Sequence, residues 1–273
     1  MCNFVQKYSL QAIYQIQAVI IGTGKVANAL GSALHDAGLN ITGLCGRNAL
    51  RAEKLASMLG TKAYNDVKDL PRDAGIYILA VSDDAVAEVS EQLGTVNGLV
   101  VHVAGSLPAG ILSPVHQRYG VFYPLQTFTE GRHIDLNEVP FFVQAGHPDD
   151  LKILGTIAGL LSNRVIESSD QMRAQLHLSA VFASNLVNAL YDVSAGLLES
   201  KALDFSVLHP LIRETALKAT AMPPSVAQTG PARRDDLKAI EKHLKLLDNH
   251  PREKAVYIEL TNFLLEKYHG KTL

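Results

Sequence analysis

The sequence predicts an α/β domain with a doubly wound parallel sheet, followed by an all-α domain. Short, nearly continuous apolar runs alternate with helical patterns from residue 16 to residue 103. This alternation is typical of parallel strands that are covered by helices on both faces. A glycine-rich turn joins the first run to the first helical pattern, and after residue 148 helical patterns continue without a convincing strand.

The elements of the first domain follow one another as strand, turn and helix. The first apolar run stops at Gly22, and apolar residues then return at helical spacing up to Gly38. A second helical pattern covers residues 49–59. Because crossovers between parallel strands are right-handed, this order predicts a doubly wound sheet. The predicted strands cover residues 16–21, 40–45, 76–81, 99–103 and 141–145, and a further short strand is predicted between residues 45 and 76.

The second half of the chain has only helical patterns. We therefore predict two domains, residues 16–147 and residues 148–273, which agrees with a length of 273 residues. The predicted helices cover residues 151–161, 168–198, 205–221, 235–247 and 253–268.

Composition and charge exclude several classes of function. The 25 basic and 27 acidic residues lack the cationic surplus of a nucleic-acid-binding protein. We expect neither a membrane span, since no apolar run reaches ~18 residues, nor a signal peptide, since the start lacks an apolar core. Cys2 and Cys45 indicate no disulfide framework, and the ten histidines form no metal-binding motif. We therefore expect a cytoplasmic protein without a metal.

The first turn fits the pattern G-x-G-x-x-[G/A]. Gly22 permits a tight turn, Gly24 lets the backbone approach a pyrophosphate, and Ala27 is small enough for the helix to pack on the sheet. The N-terminus of the helix then presents free N–H groups to the phosphates. The alternative is a tight turn that binds no ligand. The predicted cofactor contacts here are Gly22, Thr23, Gly24, Lys25 and Val26.

The end of the second strand indicates which dinucleotide binds. An NAD site places an acidic residue there, whereas this strand ends in Cys45, Gly46, Arg47 and Asn48. Arg47 is able to form a bidentate pair with a 2′-phosphate. We therefore predict NADP, with Arg47 and Asn48 as cofactor contacts. The alternative is an Arg47 side chain that only meets solvent.

Polar residues follow the carboxyl ends of the next two predicted strands, where ligands bind in open α/β sheets. Val81, Ser82 and Asp83 follow one strand, and Gly105 and Ser106 follow the other. We predict Ser106 as a substrate contact and the other four as cofactor contacts. Alternatively, Asp83 and Asp84 cap the helix that follows them.

The long predicted helix carries a polar stripe among apolar residues. His177, Ser184 and Asn188 fall at i, i+7 and i+11, within about 40° of one another at ~100° per residue, and Asn185 lies beside them. Such a stripe needs a ligand pocket, a subunit interface or ordered water as a partner. We predict His177 as the acid/base group, Asn185 as the residue that orients the substrate, and Asn188 as a substrate contact.

Two loops supply further candidate substrate contacts. Gln126 and Thr127 belong to a stretch, residues 123–128, that is predicted to lie just beyond the sheet, and Arg234 lies in a loop before a helix. An arginine there is suited to an anionic substrate. The alternatives are an ordered connecting loop for the first pair and a helix cap formed by Asp235 or Asp236 for the second loop.

Seven stretches of the sequence, which include the glycine-rich turn and the polar stripe of the long helix, resemble the NADP oxidoreductases that join a Rossmann-like domain to a helical domain of unknown function, DUF2520. More distantly, the sequence is similar to pyrroline-5-carboxylate reductase, the coenzyme-F420-dependent NADP reductases and the β-hydroxyacid dehydrogenases. The resemblance implies a helical domain similar to the C-terminal class of 6-phosphogluconate dehydrogenase. The matching stretches are IIGTGKVANAL (20–30), ILAVSDDAV (78–86), VVHVAGSLP (100–108), YPLQTF (123–128), LHLSAVFASNLVNALY (176–191), LHPLIRETALKA (208–219) and QTGPARRDD (228–236).

These families imply hydride transfer at an interdomain cleft, in a homodimer joined through the helical domains. The function that we predict is an NADP-dependent oxidoreductase acting on a small-molecule substrate, with the cofactor supplying the hydride chemistry. The alternative is a non-catalytic NADP-binding dimer with a redox-sensing or regulatory role.

Overall fold

The computed structural model describes residues 10–132 and 134–273. The chain divides into two compact units, the first ending at Asn185 and the second beginning at Leu186. The domain boundary predicted between residues 147 and 148 lies earlier in the chain and stays a prediction.

Within the described residues, eight strands form one sheet in the order β3-β2-β1-β4-β5-β6-β7-β8. The pairs from β3 to β6 are parallel, β6 and β7 are antiparallel, and β7 and β8 are parallel. The first six strands thus have the doubly wound order, which confirms the predicted fold class. The strands are β1 (Gln17–Ile21), β2 (Asn40–Cys45), β3 (Ala63–Tyr64), β4 (Ile76–Leu79), β5 (Leu99–His102), β6 (Tyr119–Pro124), β7 (Phe141–Ala145) and β8 (Val165–Glu167).

The central part of the sheet is buried on both faces, which explains why β1 and β4 are nearly continuously apolar rather than alternating. Along β1, Ala18 and Ile20 belong to one buried cluster, whereas Val19 and Ile21 belong to another. The side chains of a strand point alternately to opposite faces. Each face of β1 therefore packs against its own apolar layer.

The helices connect the strands in the first unit and make up most of the second unit. A π-helical segment, Val181–Leu186, separates α6 from α7. The helices are α1 (Leu10–Ile13), α2 (Lys25–Asp36), α3 (Ala49–Met58), α4 (Val86–Leu93), α5 (Pro148–Leu161), α6 (Asp170–Ala180), α7 (Val187–Glu199), α8 (His209–Ala221), α9 (Pro224–Ala227), α10 (Leu237–Leu246) and α11 (Pro251–His269).

The structure differs from the prediction at two strands and one helix. The interpretation of residues 123 and 124 as part of a connecting loop is wrong, since both lie in β6. The prediction of no strand after residue 148 is also wrong, because β8 pairs with β7. At three residues, β8 is too short to show an alternating pattern. The predicted continuous helix over residues 168–198 contains the π-helical segment.

The second unit has few buried residues of its own. Its apolar cluster contains Ala232, Ile240 and Leu265, while α7 and α8 contain no buried residue. By length and composition alone, the continuous helical stretch Asp170–Glu199 is apolar enough to cross a membrane, and no residue of its most apolar window is buried. A core helix of a soluble protein passes the same test, and the absence of a membrane span stays a prediction.

Candidate functional site

The glycine-rich turn leads from β1 directly into α2. Gly22 has a positive φ of 130°, and its N–H donates to the carbonyl oxygen of Cys45 over 2.8 Å. Gly24 is the N-cap residue of α2, and no side chain caps the helix there. The first N–H groups of α2 are therefore available to an external acceptor, at the positive end of the helix dipole.

The space beside this turn fits a pyrophosphate. A Cβ atom built on Gly24 would meet no atom within 4 Å, so a side chain there would extend into open space rather than into protein. Free N–H groups next to such a space form a binding site for phosphate oxygens. The residues of the turn therefore fit the dinucleotide that the sequence predicts.

A cavity of about 640 Å³ extends from this turn to the end of β2, and we name it the glycine-turn cavity. Arg47 and Asn48 both line it. The Asn48 side chain also caps α3 by accepting from the Arg51 N–H over 3.0 Å. Arg51 lines the same cavity and was not predicted, because its place one turn into a helix resembles an ordinary surface position. The other lining residues include Gly22, Thr23, Gly24, Cys45, Gly46, Asn65, Asp66, Val81 and Ser82.

A second cavity, of about 790 Å³, lies beside the first, and we name it the His177 cavity. The two cavities share Gly24, Ala80, Val81 and Ser82, so they are neighbours along the carboxyl ends of the strands. All residues that line the second cavity belong to the first unit. Those that the sequence predicted are Gly24, Lys25, Val26, Val81, Ser82, Asp83, Gly105, Gln126, Thr127, His177 and Asn185.

Tyr123 also lines the His177 cavity and is the main residue that the prediction missed. Its hydroxyl oxygen lies 3.3 Å from Nδ1 of His177. Burial raises the pKa of Tyr123, the Asp83 carboxylate raises it further, and the Arg173 guanidinium opposes the shift. The stretch YPLQTF begins with Tyr123, but the only substrate contacts predicted within it are Gln126 and Thr127.

Asp83 and Ser106 meet at the rim of the sheet. The Ser106 hydroxyl donates a hydrogen bond to Oδ2 of Asp83. The N-cap residue of α4 is Ala85, and no side chain caps that helix. The alternative role of Asp83 as a cap is therefore not observed, and its carboxylate instead connects the ends of two strands.

Helix α6 is fixed by a buried arginine one turn before His177. The Arg173 side chain has no solvent exposure, and its guanidinium donates to the Leu107 carbonyl oxygen and, over 2.9 Å, to Oδ1 of Asp170. The same Asp170 oxygen accepts from the Ala109 N–H over 2.9 Å. These bonds join α6 to the loop after β5 and so determine where His177 lies.

The π-helical segment changes the predicted polar stripe. The i, i+7, i+11 spacing assumed a regular helix, but each π turn contains more residues, so positions after residue 180 are rotated relative to that assumption. His177, Ser184 and Asn185 line the cavity. Asn188 belongs to the second unit, and its role as a substrate contact stays a prediction.

Arg234 also belongs to the second unit, at the end of a short 3₁₀ helix, Ala232–Arg234. Asp236 accepts from the Ala239 N–H over 3.1 Å and caps α10. Of the two residues predicted as alternative caps, Asp236 is therefore the one that caps the helix. Asp235 instead forms an ion pair with Lys271. The role of Arg234 in substrate binding stays a prediction.

The thiol of Cys45 lies at the wall of the glycine-turn cavity. Burial, with the nearby Asp66 and Asp69, raises its pKa to about 11, so it is a thiol rather than a reactive thiolate near neutral pH. In the described part of the chain, no three His, Cys, Asp or Glu side chains form a group able to hold a metal ion.

Comparisons with known proteins agree with this architecture. A family model of a Rossmann-like domain matches residues 7–126, and the model of a domain of unknown function, DUF2520, matches residues 139–263. No curated protein matches the chain. The crystal structure of BF3122 from Bacteroides fragilis, named a "putative NADP oxidoreductase", is 37% identical, and the match covers 93% of this chain and 99% of that one with a TM-score of 0.88.

Two more distant structures share the fold. A reductive aminase from Aspergillus terreus, in complex with NADPH and ethyl-5-oxohexanoate, is 12% identical over 94% of this chain and 95% of that one, with a TM-score of 0.67. A pyrroline-5-carboxylate reductase from Coxiella burnetii is 15% identical over 93% of this chain and 97% of that one, with a TM-score of 0.55. The predicted resemblance is confirmed. The chain belongs to the family of proteins in which a Rossmann-like domain precedes a DUF2520 domain, and this family includes the Bacteroides fragilis protein.

Proposed function

We propose that this protein is an NADP-dependent oxidoreductase that transfers a hydride to or from a small metabolite in the His177 cavity. One observation carries the proposal. The uncapped N-terminus of α2, with open space beside Gly24, borders both cavities. A dinucleotide with its phosphates at this turn is able to extend one half into each cavity.

The residues of the glycine-turn cavity favour NADP over NAD. Arg47 is exposed at the end of β2 and lines this cavity, and Arg51 lines it as well. A guanidinium binds a phosphate through paired, charge-assisted hydrogen bonds. We therefore propose that Arg47 holds the 2′-phosphate and that Asn48, while capping α3, lies beside it. The name of the Bacteroides fragilis relative supports the same cofactor.

The His177 cavity suits a small substrate. Its volume of about 790 Å³ lies within the ordinary range for small-molecule sites. When bound, NADPH supplies the hydride and the protein orients the substrate. We propose that His177 handles the accompanying proton, that the Asn185 amide orients the substrate, and that Gln126 and Thr127 contact it. We propose Ser106 as a further contact through the rim that it shares with Asp83.

We also propose that the protein forms a homodimer, and exposed apolar side chains support this. Large apolar side chains remain exposed on α6, the π-helical segment, α7 and α8. Large exposed apolar patches are typical of interaction surfaces, and a second copy of the chain would cover them. The residues are Leu178, Phe182, Leu186, Leu190, Leu211 and Leu217.

Two measurements on the purified protein test the proposed function. The dissociation constants of NADPH and NADH are measured by fluorescence, and NADPH consumption is then followed with a panel of ketones, 2-oxo acids and cyclic imines. We expect tighter binding of NADPH than of NADH, and consumption with at least one panel member. Binding without consumption supports the non-catalytic alternative, and no binding of either dinucleotide contradicts both.

A further inference from the structure

We propose that the phenol of Tyr123 delivers the proton to the substrate and that His177 acts through this phenol. This inference rests on the proposed function, because reduction of a C=O or C=N bond needs a proton as well as a hydride. It assigns a catalytic role to Tyr123, a residue of β6 that the glycine motif does not include.

The two side chains meet at the wall of the His177 cavity. The Tyr123 hydroxyl oxygen is 3.3 Å from Nδ1 of His177, and the two rings meet edge to face with their centroids 6.3 Å apart. With the proton on Nδ1, the imidazole donates to the phenol oxygen and leaves the phenol proton free for an acceptor in the cavity. Both residues line that cavity, so a bound substrate is able to reach the phenol.

Gly105 makes this contact possible. A Cβ atom at this position would lie 2.7 Å from Nδ1 of His177 and 2.9 Å from the Tyr123 hydroxyl oxygen. Real Cβ contacts essentially never fall below 3.0 Å. Any side chain at residue 105 would therefore push the two rings apart, and glycine leaves the space in which they pair.

The charges around Tyr123 favour a proton donor. Burial and the nearby Asp83 carboxylate raise the pKa of Tyr123, so the phenol keeps its proton at neutral pH until an acceptor in the cavity takes it. Arg173, fully buried one turn before His177, lowers the same pKa in part. Its positive charge would stabilise the phenolate that forms when the proton leaves.

The step balances in atoms and electrons. The carbon of the C=O or C=N bond gains a hydride from the bound NADPH, which becomes NADP⁺. The π electrons of that bond move to its oxygen or nitrogen, which takes the proton from the Tyr123 hydroxyl. The phenolate then regains a proton from Nδ1 of His177 as Nε2 takes one from solvent, so the imidazole stays neutral throughout.

Two tyrosines of the same strand give a matched test. Tyr123→Phe removes the phenol oxygen from the cavity, and Tyr119→Phe makes the same change four residues earlier, at a half-buried residue that lines neither cavity. We expect both variants to bind NADPH with the dissociation constant of the parent. Turnover of the panel substrate should fall by about 100-fold or more in Tyr123→Phe, as for loss of a general acid, and stay unchanged in Tyr119→Phe.

A second readout needs no turnover. In protein labelled with ¹⁵N-histidine and saturated with NADPH, the Nδ1 signal of His177, identified by its loss in His177→Gln, should shift in Tyr123→Phe and not in Tyr119→Phe. An unchanged signal in Tyr123→Phe, or full turnover by that variant, overturns the donor role of Tyr123 while the proposed function stands. A signal that shifts in Tyr123→Phe, together with a parent protein that consumes NADPH with no panel member, overturns the proposed function and this inference with it.

Discussion

The carbonyl oxygen of Ala80 occupies the space that a Cβ atom on Gly22 would need. The two atoms would be 2.2 Å apart, and Gly22 has a φ of 130°, which disfavours any other residue. Two residues later, a Cβ atom on Gly24 would meet nothing within 4 Å. We therefore expect the two glycines of one motif to be needed for different reasons, the first for folding and the second for the ligand.

This difference predicts opposite effects of two alanine substitutions. Gly22→Ala should lower the unfolding free energy by about 2 kcal/mol or more, because it combines strain with a backbone clash. Gly24→Ala should have an unfolding free energy within about 1 kcal/mol of that of the parent. It should bind NADPH at least about tenfold more weakly, because its methyl group occupies the pyrophosphate space. Urea unfolding and NADPH titration check both. Parent-like affinity in Gly24→Ala would contradict the placement of the phosphates.

Arg47 should determine the preference for NADPH. Arg47→Ala should weaken NADPH binding by about 10- to 100-fold, since a hydrogen bond to a charged group contributes about 1.5–3 kcal/mol, and should leave NADH binding unchanged. Lys54→Ala is the control, because it removes an exposed charge from α3, the helix that follows Arg47, at a residue that does not line the cavity. Fluorescence titration with both dinucleotides distinguishes the variants. Equal losses for NADPH and NADH would rule out a 2′-phosphate contact.

Gly105→Ala should separate Tyr123 from His177. The new methyl group would lie 2.7 Å from Nδ1 of His177, so we expect turnover at saturating NADPH to fall by about tenfold or more, in the range of lost acid/base catalysis. Gly110→Ala is the matched control, since a Cβ atom there meets nothing within 4 Å. Turnover of Gly105→Ala equal to that of Gly110→Ala would show that the approach of the two rings is not needed.

His102 should make the protein less stable in mild acid. Its side chain is fully buried, Nδ1 accepts from the Ala104 N–H over 3.2 Å, and burial, with the nearby Arg173 charge, lowers its pKa from 6.5 to about 4. The folded protein therefore binds fewer protons than the unfolded chain, so this contribution is complete above about pH 6.5 and is lost as the pH falls towards about 4.

Urea unfolding at about pH 7 and about pH 4.5 measures this loss. Between these two pH values, the unfolding free energy of His102→Gln should fall by about 2 kcal/mol less than that of the parent, since one pKa unit corresponds to about 1.36 kcal/mol. His35→Gln, at an exposed position, should behave as the parent does. A parent and a His102→Gln variant with the same pH dependence would contradict a neutral buried His102.

The parts of the fold that the sequence predicts are those where local pattern and tertiary structure agree. The strands predicted over residues 16–21 and 76–81 contain β1 and β4, because runs buried on both faces are nearly continuously apolar. Strand β6 was missed because Gly120 and Pro124 within it are typical of turns. The π-helical segment was not predicted, because apolar spacing over six residues does not distinguish a π-helical turn from an α-helical one.

The same distinction determines which parts of the candidate site were predictable from the sequence. The glycine turn and Arg47 were predictable, since their chemistry depends on a strand, a turn and a helix that are adjacent in the chain. The pairing of Tyr123 with His177 was not, because 54 residues separate them and only the packing of α6 on the sheet brings them together. The burial of Arg173 was equally hidden, since an arginine in a helix is ordinarily exposed.

A crystal structure of the protein with NADP⁺ tests the central claim most directly. We predict that the diphosphate oxygens accept hydrogen bonds from the N–H groups at the start of α2, that the 2′-phosphate contacts Arg47, and that the nicotinamide lies in the cavity that Tyr123 and His177 line. A dinucleotide bound elsewhere, or crystals and calorimetry that show no binding at saturating concentration, would contradict the account.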